Sequence, residues 1–126
     1  MKHPWKMMAA ALALSAGAGL SACGTGAQPA AIAQTIRVVG TEMAFSPAAA
    51  TTGEGRHRFV FSNEGAVYHE LAVVSPGGDV LAARSIPAGE TATFDVELDR
   101  PGTYRMVCRE PGHTEAGMVG TLTVTG

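Results

Sequence analysis

Lysine is nearly missing from this chain, and cysteine, tryptophan and long apolar runs are scarce. Its only lysines, Lys2 and Lys6, stand at the very start. Nine basic residues face eleven acids for a net charge of −2, which leaves no basic face for phosphate and argues against nucleic acid as a partner. There are only two cysteines, Cys23 and Cys108, which in an exported protein would ordinarily suggest one disulfide. The longest apolar stretch, residues 7–20, falls short of the about 20 residues that a membrane-spanning helix needs. No window carries helical apolar periodicity of useful length, and there is no internal repeat. A length of 126 residues allows one domain with a core of its own and leaves no room for two.

The start has the grammar of an export signal: Lys2 and Lys6, then the apolar run, then small residues. Its close, Leu20-Ser21-Ala22-Cys23, resembles the lipobox of bacterial lipoproteins, in which the cysteine carries lipid and becomes the new N-terminus. The alternative is an ordinary signal cut near Ala22. On the lipoprotein reading, residues 1–22 are signal and Cys23 is a membrane anchor, since more than one acyl chain gives stable attachment. Removing the two leader lysines from nine basic residues leaves seven arginines against eleven acids, a mature charge of −4. Residues 24–34 are small, uncharged and unpatterned and read as a flexible tether, which extended reaches at most about 35 Å.

From Thr35 to Gly126 the pattern is short runs rich in Val, Phe, Thr and Tyr, punctuated by Gly, Pro and Asn, which is the signal of an all-β domain. Strands are expected at 35–40, 56–62, 67–75, 79–84, 91–98, 102–108 and 118–125, with a weaker extended piece at 43–52. Alternation assigns faces. Ala92, Phe94, Val96 and Leu98 share a core face, as do Val67, His69, Leu71 and Val73, and Tyr104, Met106 and Cys108. Antiparallel strands of this number, each with one apolar face, pack as a two-sheet sandwich or barrel. Strands 56–62 and 67–75 are expected to form a hairpin through Asn63-Glu64-Gly65.

An inward histidine is ordinarily a satisfied core residue, and a lone cysteine ending an apolar strand is ordinarily a small buried hydrophobe. The stretch from Cys108 to Met118 changes that reading, because Cys108, His113 and Met118 recur at intervals of five on a loop turned by Pro111-Gly112 and Gly117. If Cys23 carries lipid, Cys108 has no disulfide partner, and a free thiol in an oxidising compartment calls for burial or a metal. A thiolate, imidazoles and a thioether together favour copper, whereas zinc prefers four firm ligands. The loop supplies three donors, and His69 is the inward histidine that supplies the fourth. His57 shares the parity of Phe59 and Phe61, but the expected hairpin puts it about 20 Å from His69 and so excludes it. Glu110 and Glu115 read as surface acids, with a docking role open.

These residues resemble the cupredoxins, the plastocyanin and azurin family. Gly102-Thr103-Tyr104-Arg105-Met106-Val107-Cys108 is similar to the family's strand into its copper loop, and Cys-x4-His-x4-Met is a spacing of rusticyanin-like members. The resemblance covers residues 35–126. It implies a Greek-key two-sheet β-sandwich with one copper ion at one end, held by His69, Cys108 and His113 in a trigonal arrangement with Met118 as a weak axial ligand. One departure stands out: many members have Asn after the upstream histidine, tying the ligand loops together, and here Glu70 stands there, which alternation turns outward as a solvated carboxylate.

The reading that follows is a monomeric, exported electron carrier, periplasmic or at the cell surface, with copper cycling between Cu(II) and Cu(I). It is not an enzyme. It is anchored to the membrane through Cys23 and exchanges electrons with redox partner proteins at a patch of small residues around His113. Three rivals come from other classes. A copper chaperone or storage protein would cluster its methionines, whereas Met43, Met106 and Met118 are scattered. A cysteine hydrolase would need a third group to orient a Cys108 and His113 pair, and none is evident. A metal-free interaction module would have no use for a full ligand set.

Overall fold

The computed structural model describes Gly19, Gly24 and residues 26–126, so the leader, Gly19 apart, and Cys23 lie outside the described residues. The described residues form nine strands, in chain order β1 Ile32–Thr41, β2 Ala44–Ser46, β3 Ala49–Gly53, β4 Gly55–Asn63, β5 His69–Val74, β6 Val80–Ile86, β7 Thr91–Leu98, β8 Gly102–Val107 and β9 Val119–Thr125. They form two sheets, one ordered β2-β1-β4-β7 and the other β3-β9-β8-β5-β6. Among the described residues no helix is long and apolar enough to cross a membrane.

Period-two alternation builds the core. Ile36 and Val38 of β1, Phe59 and Phe61 of β4, Phe94, Val96 and Leu98 of β7, and Leu122 and Val124 of β9 all point between the sheets. Phe59 stacks on Phe94 with ring centroids 5.6 Å apart, and Phe45 meets Phe61 edge-on at 6.2 Å. Each such side chain contributes about 1.5 to 3 kcal/mol by leaving water. This is the two-sheet sandwich expected from the pattern.

Several local expectations are corrected. The weak piece at 43–52 is two short strands on different sheets, β2 pairing with β1 and β3 with β9. The sheets are mixed, because β1 runs parallel to β4 and β3 parallel to β9. β4 and β5 form no hairpin: β4 pairs with β1 and β7, while β5 pairs with β6 and β8 in the other sheet. The chain crosses between sheets where a turn was expected, and Asn63 makes the crossing possible. Its buried amide nitrogen donates to the carbonyls of Val67 at 2.8 Å and Ile86 at 2.9 Å, and its oxygen accepts from Gly65 N–H at 2.9 Å. Val67 consequently belongs to the crossing and is exposed, and the inward face of β5 starts at His69. β1 also begins at Ile32, inside the expected tether, because that end pairs with the start of β4.

Candidate metal centre

Cys108 follows the last residue of β8, Met118 precedes the first of β9, and the intervening loop folds back on itself. Cys108 N–H donates to the Met118 carbonyl at 3.1 Å and Met118 N–H to the His113 carbonyl at 3.0 Å, so the three loop residues are tied through the main chain. Thr114 Oγ1 closes the turn onto the Cys108 carbonyl at 2.5 Å. The reversal depends on Gly112 and Gly117, whose φ angles of 81° and 97° lie in the left-handed region where a side chain is strained.

His69, at the start of β5, meets this loop from the neighbouring strand. Its Nδ1 lies 3.3 Å from His113 Nδ1, which in turn lies 3.3 Å from Cys108 Sγ. The three donor atoms all fall within 4.8 Å of one another. Donors about 2.0 to 2.3 Å from one ion in a trigonal plane stand roughly 3.5 to 3.7 Å apart, so the spacing suits a shared ion. His69 and Cys108 are fully buried and His113 is partly exposed. Met118, tied to Cys108 and His113 through the main chain, is buried, with its methyl group near Gly40, where an added Cβ would come within 3.3 Å. His57 stays out of the group, with Nδ1 at 2.8 Å from the Gly55 carbonyl and Nε2 at 2.8 Å from Thr52 Oγ1.

The electrostatics favour a neutral thiol when no metal is bound. Burial pushes the Cys108 thiol up from its ordinary range, and the Glu70 N–H that donates to Sγ at 3.3 Å offsets this only in part. A metal ion must therefore displace a proton from sulfur.

Glu70 corrects the expectation of a solvated carboxylate. It grips Arg109, the residue after Cys108, with Arg109 Nε donating to Oε1 at 2.7 Å and Nη2 to Oε2 at 2.9 Å. The ion pair joins β5 to the loop and holds the Arg109 guanidinium in its charged form. Sequence reasoning missed Glu42 and Asn63. Glu42 sits in the β1–β2 turn, where its Oε1 lies 3.5 Å from His69 Nε2. The hydrogen bond from Ala66 N–H, above all, holds its carboxyl below the usual range. Nothing in residue type or spacing distinguishes either from a surface turn residue.

The family model for the cupredoxin-like domain matches residues 7–124, starting inside the segment read as a leader. The chain belongs to the cupredoxin-like family. Auracyanin-B of Chloroflexus aurantiacus is 33% identical over 53% of this chain and 40% of its own length. The copper-resistant cuproprotein CopI of Rubrivivax gelatinosus is 31% identical over 72% of this chain and 66% of its own. This cupredoxin thus spans less than two thirds of either curated relative. A solved auracyanin B structure superposes with a TM-score of 0.66 at 27% identity, covering 79% of this chain and 94% of that one. The reduced auracyanin of Roseiflexus castenholzii reaches 0.68 at 22% identity, over 76% and 100%, which is a likeness of fold.

Proposed function

We propose that this cupredoxin is a one-copper electron carrier, with His69, Cys108 and His113 as the strong ligands and Met118 as the weak axial one. The observation that carries the reading is the convergence of one Nδ1 from β5 with an Nδ1 and an Sγ from the loop after β8, two of the three residues fully buried. Bound copper would supply a one-electron couple. The chain's part is to fix the donors and exclude water: the main-chain ties of the loop and the Glu70–Arg109 pair hold the ligands in one arrangement. Pro111, Gly112 and Ala116, small uncharged residues exposed on the same loop as partly exposed His113, are where a redox partner protein can approach its ring. Export, with Cys23 carrying lipid, completes the proposal, and the protein acts as a monomer and not as an enzyme.

The likeness to CopI favours a second reading, copper handling in resistance to the metal. The absorption spectrum of the oxidised, copper-loaded protein separates the two. An electron carrier shows an intense visible thiolate-to-copper band that vanishes in Cys108→Ser, while the far-ultraviolet dichroism of the sandwich persists. A colourless protein that releases Cu(I) readily supports copper handling, and a band that survives Cys108→Ser overturns the site.

A further inference from the structure

His69 Nε2 is buried and has no hydrogen-bond partner among the described residues. A buried ring nitrogen without a partner is rare and calls for an explanation. The other ring nitrogen faces His113 and Cys108. If Nδ1 is to offer its lone pair to a metal, the ring proton must reside on Nε2, and an N–H there needs an acceptor. The neighbouring acceptor is Glu42 Oε1 at 3.5 Å, a few tenths of an ångström beyond hydrogen-bond reach.

Three features aim this carboxylate. Glu42 and Met43 make the two-residue turn between Thr41 and Ala44, and Met43 holds a φ of 58°, a left-handed value uncommon for a residue with a side chain. Ala66 N–H, on the crossing between the sheets, donates to the same Oε1 at 2.5 Å and ties the turn to the crossing. Gly65 leaves the space through which acid and ring face each other, since a Cβ there would lie 2.5 Å from Glu42 Oε1 and 2.6 Å from His69 Nε2.

We propose that Glu42 is a positioning residue of the metal centre: its carboxylate accepts the Nε2 proton of His69, locks the tautomer with Nδ1 free, and adds negative charge behind the ring. This rests on the copper reading above. Partners of this kind raise ligand basicity and strengthen binding. The added charge favours Cu(II) over Cu(I), so it lowers the reduction potential.

The test uses Glu42→Ala, Glu42→Gln and, as a control for overall charge, Glu64→Gln on the neighbouring exposed acid. Nitrogen-15 histidine spectra of the metal-free protein report the His69 tautomer. The wild type should be held with the proton on Nε2, Glu42→Ala should relax toward a mixture, and Glu42→Gln should keep the tautomer, because its amide oxygen still accepts. In the copper-loaded protein Glu42→Ala should bind copper roughly 10- to 100-fold more weakly. Both Glu42 variants should have a raised potential, and Glu64→Gln should not. An unchanged tautomer together with unchanged affinity in Glu42→Ala overturns the proposal, as does an equal shift of potential in Glu64→Gln. If the wild type takes up no copper while Glu42→Ala still alters the tautomer, the pairing stands and the copper reading fails.

Discussion

His57 and His69 are both sealed from water on core strands, yet their rings are served in opposite ways. At the start of β4, His57 has a neighbour for each nitrogen, the Gly55 carbonyl and Thr52 Oγ1. At the start of β5, His69 has one nitrogen turned toward Cys108 and His113, the other candidate ligands, and the second left without a hydrogen bond among the described residues. The first environment is complete as the protein stands, whereas the second needs an ion at Nδ1 and the Glu42 carboxylate behind Nε2. The comparison separates a structural histidine from a ligand by counting partners, which burial alone cannot do.

Exchanging each ring for leucine tests this most severely. His69→Leu should abolish copper binding, and with it the stabilisation that copper gives the wild type, about 4 kcal/mol when free copper is 1,000 times the dissociation constant. The metal-free variant should lie within about 1 kcal/mol of the metal-free wild type, since the polar contacts it removes, 3.3 Å to His113 and 3.5 Å to Glu42, are long ones. His57→Leu should do the reverse: it strands Thr52 and the Gly55 carbonyl, costs about 1 to 3 kcal/mol, and leaves copper affinity intact. Thermal melts with and without copper read both effects. Equal copper-dependent stabilisation in His69→Leu and the wild type would remove the distinction.

Met118 sharpens the comparison within the site. Its thioether is the softest and weakest donor of the proposed set, so Met118→Leu should still bind copper and stay coloured, with a raised potential, because losing an axial electron pair penalises Cu(II) more than Cu(I). Leucine keeps the apolar volume against Phe61 and Gly40, and the fold should lose less than about 1.5 kcal/mol. Copper titration and voltammetry decide. If the variant loses copper as completely as His69→Leu, or keeps its potential, Met118 is not the axial ligand.

The same contrast explains what could be read in the chain beforehand. Strand alternation placed Phe94, Val96, Leu98, Tyr104, Met106 and Cys108 inward, because period two follows from backbone geometry alone. The loop from Cys108 to Met118 was legible because its donors and its turn glycines lie close together in sequence. The crossing after β4 was not, since a turn triplet such as Asn63-Glu64-Gly65 suits a hairpin equally well, and only the carbonyls of Val67 and Ile86 give Asn63 its buried role. Glu42 escaped for the same reason. Its partner is 27 residues away across a sheet change that local pattern does not encode.

The smallest effect belongs to the charges flanking His57. Arg56 Nη2 and Arg58 Nε each reach Asp95 at 2.9 Å on the outer face of β4 and β7. The hydrogen bond from Arg58 in particular holds the Asp95 carboxyl below its ordinary value of 3.8. A carboxyl depressed in the folded state stabilises the fold above its unfolded pKa, and that contribution fades as pH falls through the folded value. Asp95→Asn removes the charge at every pH. It should therefore be slightly less stable than the wild type at neutral pH, and the two should converge in strong acid, where the wild-type carboxyl is protonated as well. Because these groups are open to solvent and screened by salt, the neutral-pH difference should shrink further as salt is added. Copper affinity should not move at any pH, since the cluster belongs to the end of the sandwich whose histidine is already satisfied. Urea melts of both proteins across the acid range test the claim, and a difference that widens toward low pH would show that Asp95 stabilises the fold by some means other than its charge.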